Sequence, residues 1–117
     1  MFDFSPGNKT LILGTALWGW GVKRIDAYEI LEKFLEYGGS IVDTATNYPI
    51  NKRDKDLGLA RRWISDWVTM HGFSNISLIV KIGSVDNTGS PLNDLSPERI
   101  TRSVNALLDQ FRESLSC

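Results

Sequence analysis

Asp43, Tyr48 and Lys81 put a carboxylate, a phenol and an amine where they could share one proton chemistry. Asp43 closes the short apolar run Ile41-Val42, Tyr48 follows five positions later, and Lys81 closes a second apolar run, Ile76-Ser77-Leu78-Ile79-Val80. If both runs are strands of one parallel sheet, the three side chains project from the same rim, where sites form in α/β proteins. A nearby ammonium favours tyrosinate, lowering the phenol's pKa from its reference of about 10. The carboxylate would hold the ammonium in place, and the phenol would protonate an oxygen. Taken singly, each residue also has an ordinary role: Asp43 as a turn cap, Tyr48 as an amphipathic surface aromatic, Lys81 as a solvated strand end. Only their joint placement makes a chemistry.

The elements that must position them follow from hydrophobic period. Thr10, Leu11, Ile12 and Leu13 form a β-prone run stopped by Gly14, preceded by a turn at Pro6-Gly7. Between Gly14 and Gly21 three glycines and the indoles of Trp18 and Trp20 share a few positions, the composition of a loop that approaches something or of aromatics covering a core. From Asp26, Ala27, Ile30, Leu31, Phe34 and Leu35 fall on one helical face, with Asp26 as cap and Gly38-Gly39 as stop. Residues 40–43 then read as a strand buried on both faces.

A charged loop containing Pro49 leads to a second helix from about Asp56 to about Met70, which buries Leu57, Ala60, Ile64, Trp67 and Val68 and ends at Gly72. Residues 84–95, rich in Ser, Asn, Asp, Gly and Pro, make a long loop after the third strand, of a length that is usually functional or mobile. Ser96-Pro97-Glu98 starts a last helix with an apolar stripe of Ile100, Val104, Leu107, Leu108, Phe111 and Leu115. Three strand-then-helix units in succession predict an α/β fold with a parallel sheet and right-handed crossovers.

Composition narrows the classes. The 117 residues suffice for one core, and 13 basic against 14 acidic side chains, mostly scattered, give a net charge of -1, which argues against nucleic-acid or anionic-membrane partners. The single cysteine, Cys117, fits a reducing compartment, and the stretch from Leu11 to Val22 is too short to span a bilayer. No metal-ligand cluster is recognisable, and the expected location is cytoplasmic.

The motifs resemble those of the aldo-keto reductase family. The match comprises Leu13-Gly14-Thr15, the run Gly39-Ser40-Ile41-Val42-Asp43-Thr44-Ala45 with Tyr48, Leu57-Gly58 early in the second helix, and Val80-Lys81, and it extends from about Thr10 to about Leu115. The resemblance implies the first three units of a (β/α)8 TIM barrel that transfers hydride from NADPH, or from NADH, to an aldehyde or ketone. By that resemblance Tyr48 is the general acid, Lys81 tunes it, and Asp43 partners the lysine. Gly14, Thr15, Ala16 and Asp43 would lie near the nicotinamide, and Trp18 and Trp20 would wall the substrate pocket.

Two departures from the family pattern accompany the match. Pro49 stands where members usually have glycine after the tyrosine, and the histidine expected at the end of a fourth strand has no counterpart, since the lone His71 precedes the third strand and reads as a solvated surface residue. A complete barrel needs roughly 250 residues. Residues 1–117 are therefore expected to be the N-terminal portion of a longer reductase domain, inactive alone and prone to self-association through open sheet edges. The alternatives are a non-catalytic α/β module that binds a partner through an exposed strand edge, and a barrel enzyme using Lys81 as a Schiff-base nucleophile.

Overall fold

The computed structural model describes residues 10–72 and 76–111. The predicted turn at Pro6-Gly7, the end of the apolar stripe at Leu115, and Cys117 lie outside them. Three strands alternate with three helices: β1 (Ile12–Gly14), α1 (Arg24–Glu36), β2 (Ile41–Ala45), α2 (Leu59–His71), β3 (Ser77–Lys81) and α3 (Pro97–Phe111), with a short 3-10 turn at Asp54–Asp56. The sheet is wholly parallel in the order β1-β2-β3. This is the partial (β/α) arrangement the sequence predicts.

One hydrophobic cluster joins the helices to the sheet. Ala27 and Leu31 of α1, Ala60, Ile64, Trp67 and Val68 of α2, and Leu107 and Phe111 of α3 meet Val42 and Leu78 of the strands, with Trp18 and Ile76 completing the cluster. Successive strand residues point to opposite faces, so Val42 and Thr44 turn toward the helices and are fully buried while Ile41 and Asp43 are only partly so. Burial of β2 on both faces is therefore corrected to burial on one. The two crossovers, β1-α1-β2 and β2-α2-β3, are of the kind that is right-handed and sets its helices on one side of the sheet, and α3 joins that layer through Leu107 and Phe111.

Helix boundaries show what local residues decide. α1 begins at Arg24 with Lys23 as its N-cap, so Asp26 is an acid of the first turn and not the cap. Gly38 does supply the stop: it adopts φ 90°, and the Gly39 N–H donates to the Phe34 carbonyl at 2.9 Å. α2 starts later than its apolar pattern suggests because Gly58 adopts φ 74°, outside the helical region. Leu57 and Gly58 thus precede the helix, and Leu57 is exposed. Gly72 closes α2 as expected, donating to Val68 O at 2.7 Å, and Ser96 caps α3 by accepting from the Arg99 N–H at 3.3 Å.

The predicted stripes are wider than the faces that become covered. Ile30 of α1 and Ile100, Val104 and Leu108 of α3 remain exposed. β1 and β3 are the two edges of the sheet, so the outer flanks of α1 and α3 lie toward its open sides and are not fully covered. Leu31, by contrast, is wholly buried between α1 and the sheet. Leu31→Ala is expected to cost about 2–5 kcal/mol, a large share of the stability of a domain this small. Ile25→Ala, at a position 75% exposed, should stay within about 0.5 kcal/mol. Urea titrations followed by circular dichroism would check both.

Candidate active site

Register explains why Asp43 and Lys81 meet. β2 pairs with β3 so that Asp43 lies beside Ile79 and Ala45 beside Lys81. Lys81 is two residues beyond Ile79, hence on the same face as Asp43 and one step toward the strand end. Its long stem spans that step, and the Lys81 ammonium donates a hydrogen bond to the Asp43 carboxylate. The same ammonium lies 4.9 Å from the centre of the Tyr48 ring, within cation–π range. The structure thus brings Asp43, Tyr48 and Lys81 together on the face of the sheet that the helices leave bare.

Backbone contacts fix the loops that carry these groups. The Asp43 carbonyl accepts both the N–H and the hydroxyl of Thr15, at 3.1 and 3.0 Å, which ties the end of β1 to β2. The Thr46 N–H donates to the Lys81 carbonyl at 3.0 Å and ties β2 to β3. Pro49 is buried and follows Tyr48 through a cis peptide bond, while the Tyr48 carbonyl accepts the Ala60 N–H at 3.3 Å. Tyr48 is held between these anchors, partly packed on the core.

The other predicted site residues divide into two groups. Gly14 pairs with Asp43 and faces the same side, and a Cβ built on it would meet nothing within 4 Å. Space thus lies open above Gly14, beside Asp43. Gly14, Ala16 and Trp18 also line an apolar cavity of about 300 Å³ together with Leu13, Leu17 and Ile30. Trp18 is buried in the core, whereas Trp20, two residues on, is 61% exposed. His71 is exposed, stacks on Trp67 with ring centres 4.2 Å apart, and sits at the far end of α2.

Lys81 titrates in a balance of opposing effects. Partial burial works against its charge, but hydrogen bonds to Asp43 and to Tyr48 outweigh that loss and hold the ammonium above its ordinary value of 10.5. The cation is therefore present throughout the neutral range, where an amine nucleophile would need the free base.

Comparison with known proteins decides the kinship. The sequence model of the aldo/keto reductase family matches residues 10–114. The chain belongs to this family. Over 63 residues it is 32% identical to Protein tas of Escherichia coli (strain K12) and equally to Protein tas of Shigella flexneri. The matched stretch is 54% of this chain and 18% of each relative, so it spans less than a fifth of the relatives' length.

In this aldo/keto reductase chain the loops beyond β2 and β3 are joined by asparagines that the sequence reading passed over. Asn47 donates to the Asp86 carbonyl at 2.9 Å, and Asn87, buried to 1% exposure, donates to Arg53 O at 2.7 Å and Asn51 Oδ1 at 3.1 Å. The loop from residue 84 is closed at its base by a bridge between Ser84 and Asn93. Its one advance signal is the density of Asn, Asp and Ser, the residues that satisfy backbone groups in turns.

A pH prediction follows from the lysine. Its folded pKa lies above the unfolded one, so the stability it contributes is complete below the unfolded value and is lost as pH rises through the folded value. Asp43→Asn removes a hydrogen bond that raises the pKa, and Lys81 should then titrate at lower pH. The nitrogen chemical shift of Lys81 Nζ, followed across the alkaline range, would show the displacement.

Proposed function

We propose that this chain carries the acid–base part of an oxidoreductase that reduces the carbonyl group of an aldehyde or ketone with NADPH, or NADH, as reductant. The observation that carries the reading is the convergence of Asp43, Lys81 and Tyr48 on the bare face of the sheet. Tyr48 is placed as the general acid, its hydroxyl donating a proton to the carbonyl oxygen as charge develops there. Lys81 holds a positive charge against the phenol, and that charge stabilises the tyrosinate left after transfer. Asp43 positions Lys81 through their ion pair.

The described residues fit one end of the reductant. The open space over Gly14, beside Asp43, admits a flat ring that a side chain at that position would displace. Thr15 and Ala16 continue that edge, with Thr15 fixed by its two bonds to the Asp43 carbonyl. A dihydronicotinamide held there would supply the hydride to the carbonyl carbon. Residues 1–117 are read as the N-terminal portion of the longer domain that the reaction requires, consistent with a match that covers 18% of each relative. Among the described residues no helix is long and apolar enough to cross a membrane, and no group of His, Cys, Asp and Glu could hold a metal ion.

Completed with the barrel remainder of a relative, the chain should oxidise NADPH in the presence of a simple aromatic aldehyde. Tyr48→Phe should lower kcat by on the order of 10²–10⁴-fold, the usual contribution of a positioned acid. Activity that survives the substitution would overturn the assignment. A second reading, association through the sheet edge, is favoured by Leu11 and Ile12, both about half exposed at 48% and 50% beside the unpaired side of β1. Size-exclusion chromatography should then show concentration-dependent dimers that Ile12→Lys abolishes.

A further inference from the structure

A cavity of about 350 Å³ lies on the helix side of the sheet, between the starts of α2 and α3, and neither Asp43, Tyr48 nor Lys81 lines it. Its walls carry three guanidinium groups, Arg61, Arg99 and Arg102, and three hydroxyls, Thr46, Ser84 and Ser103. Among the described residues none of these arginines makes an ion pair, and the Arg61 Nε is buried without a hydrogen-bond partner. Three guanidinium cations without an ion-pair partner thus share the wall of one cavity, which is where an external anion would find its counter-charge.

The placement of the charge sharpens this. Arg61 lies in the first turn of α2, where the helix dipole already presents positive charge, and that turn holds no acid and no side-chain cap. Arg99 lies in the first turn of α3. The start of α3 has its own acid, Glu98, and its Ser96 cap, so the uncompensated helix end is that of α2, and there it adds to the three arginines an excess of positive charge that favours an anion. Asp94, the carboxylate whose field reaches Arg99 and Arg102, accepts from the Ser96 N–H at 3.0 Å and stays outside the cavity lining. Desolvation, and then the neighbouring Arg62, also push the Arg61 pKa down, as expected of a cation that lacks its counter-charge.

We propose that this cavity is a binding site for a dianionic phosphate group, free or esterified to a small molecule, gripped by Arg61, Arg99 and Arg102 with Ser84 and Ser103 completing the oxygen contacts. Guanidinium forks match phosphate oxygens in pairs, which is why arginine and not lysine suits such a site. A volume of about 350 Å³ exceeds what one phosphate fills and lies in the about 300–1,000 Å³ range of small-ligand pockets. The ligand is thus drawn toward a phosphate ester of modest size.

The test is equilibrium dialysis of the 117-residue chain with inorganic phosphate, and separately with phenyl phosphate, at constant ionic strength set with chloride. Saturable binding near one equivalent is expected. Arg102→Gln, on an exposed helical position that keeps the fold, should weaken it by roughly tenfold, the worth of one charge-assisted hydrogen bond. Arg24→Gln, outside the cavity, should leave it unchanged. Tighter binding of phenyl phosphate supports an esterified ligand, and equal binding supports the free anion at the same site. The proposal is overturned if neither compound binds above the chloride background, or if Arg102→Gln and Arg99→Gln bind as tightly as the parent chain.

Discussion

A strand has two faces, and burying one commits the other. Val42 and Thr44 of β2 go to the helices with no exposure left, so Asp43 between them has to face away, onto the side of the sheet that carries no helix. Parallel pairing then propagates that choice to both neighbours. Gly14 on β1 shares the face of Asp43, as does Lys81, two residues past Ile79 on β3. The ion pair, the open space over Gly14 and the approach of Lys81 to Tyr48 all depend on one alternation. A slip of one residue in β2 would send the carboxylate into the core and put Val42 into water.

The rim is kept rigid by backbone bonds more than by its own ion pair. Lys81 and Asp43 are both partly exposed, and such a pair contributes little to stability by itself. Thr15 closing on the Asp43 carbonyl and Thr46 closing on the Lys81 carbonyl hold the strand ends in register whether or not the pair forms. Asn47 and Asn87 extend the same logic outward by joining the two long loops through buried amide donors. These donors pin the loops to one another, which holds the phenol and the ammonium at their spacing. Preorganisation of this kind is what an acid that must deliver one proton to one atom needs.

How far the sequence alone reached can be traced residue by residue. The strands, the glycine stops at Gly38 and Gly72 and the cap at Ser96 are written in local chemistry: continuous apolar runs, positive φ, a hydroxyl before proline. The convergence of Asp43, Tyr48 and Lys81 was legible too, because parallel topology puts strand ends on one rim. Leu57 was misjudged because its hydrophobicity fits the α2 period, whereas Gly58, one residue on, turns the chain out of the helix. Ile30 and Leu108 were misjudged for another reason, since a helical stripe does not say how much sheet lies beneath it. Asn87 and Arg61 gave no period at all. Their roles arise from loops and helix starts that meet only in three dimensions.

The two cationic features of the chain make opposite use of burial. Lys81 is the more exposed, yet its ammonium is held above the ordinary range because a carboxylate and a phenol are within reach. Arg61 is the more buried, with its Nε sealed from water, and its pKa is pushed down first by desolvation and then by the like charge of Arg62. A charge that already has its partner can tune a neighbour without binding anything further. A charge that lacks one is a demand on the surroundings, and in a folded chain such demands persist where an external group meets them. The sheet separates the two: the paired cation lies on the bare face with Tyr48, and the unpaired one lies among the helices.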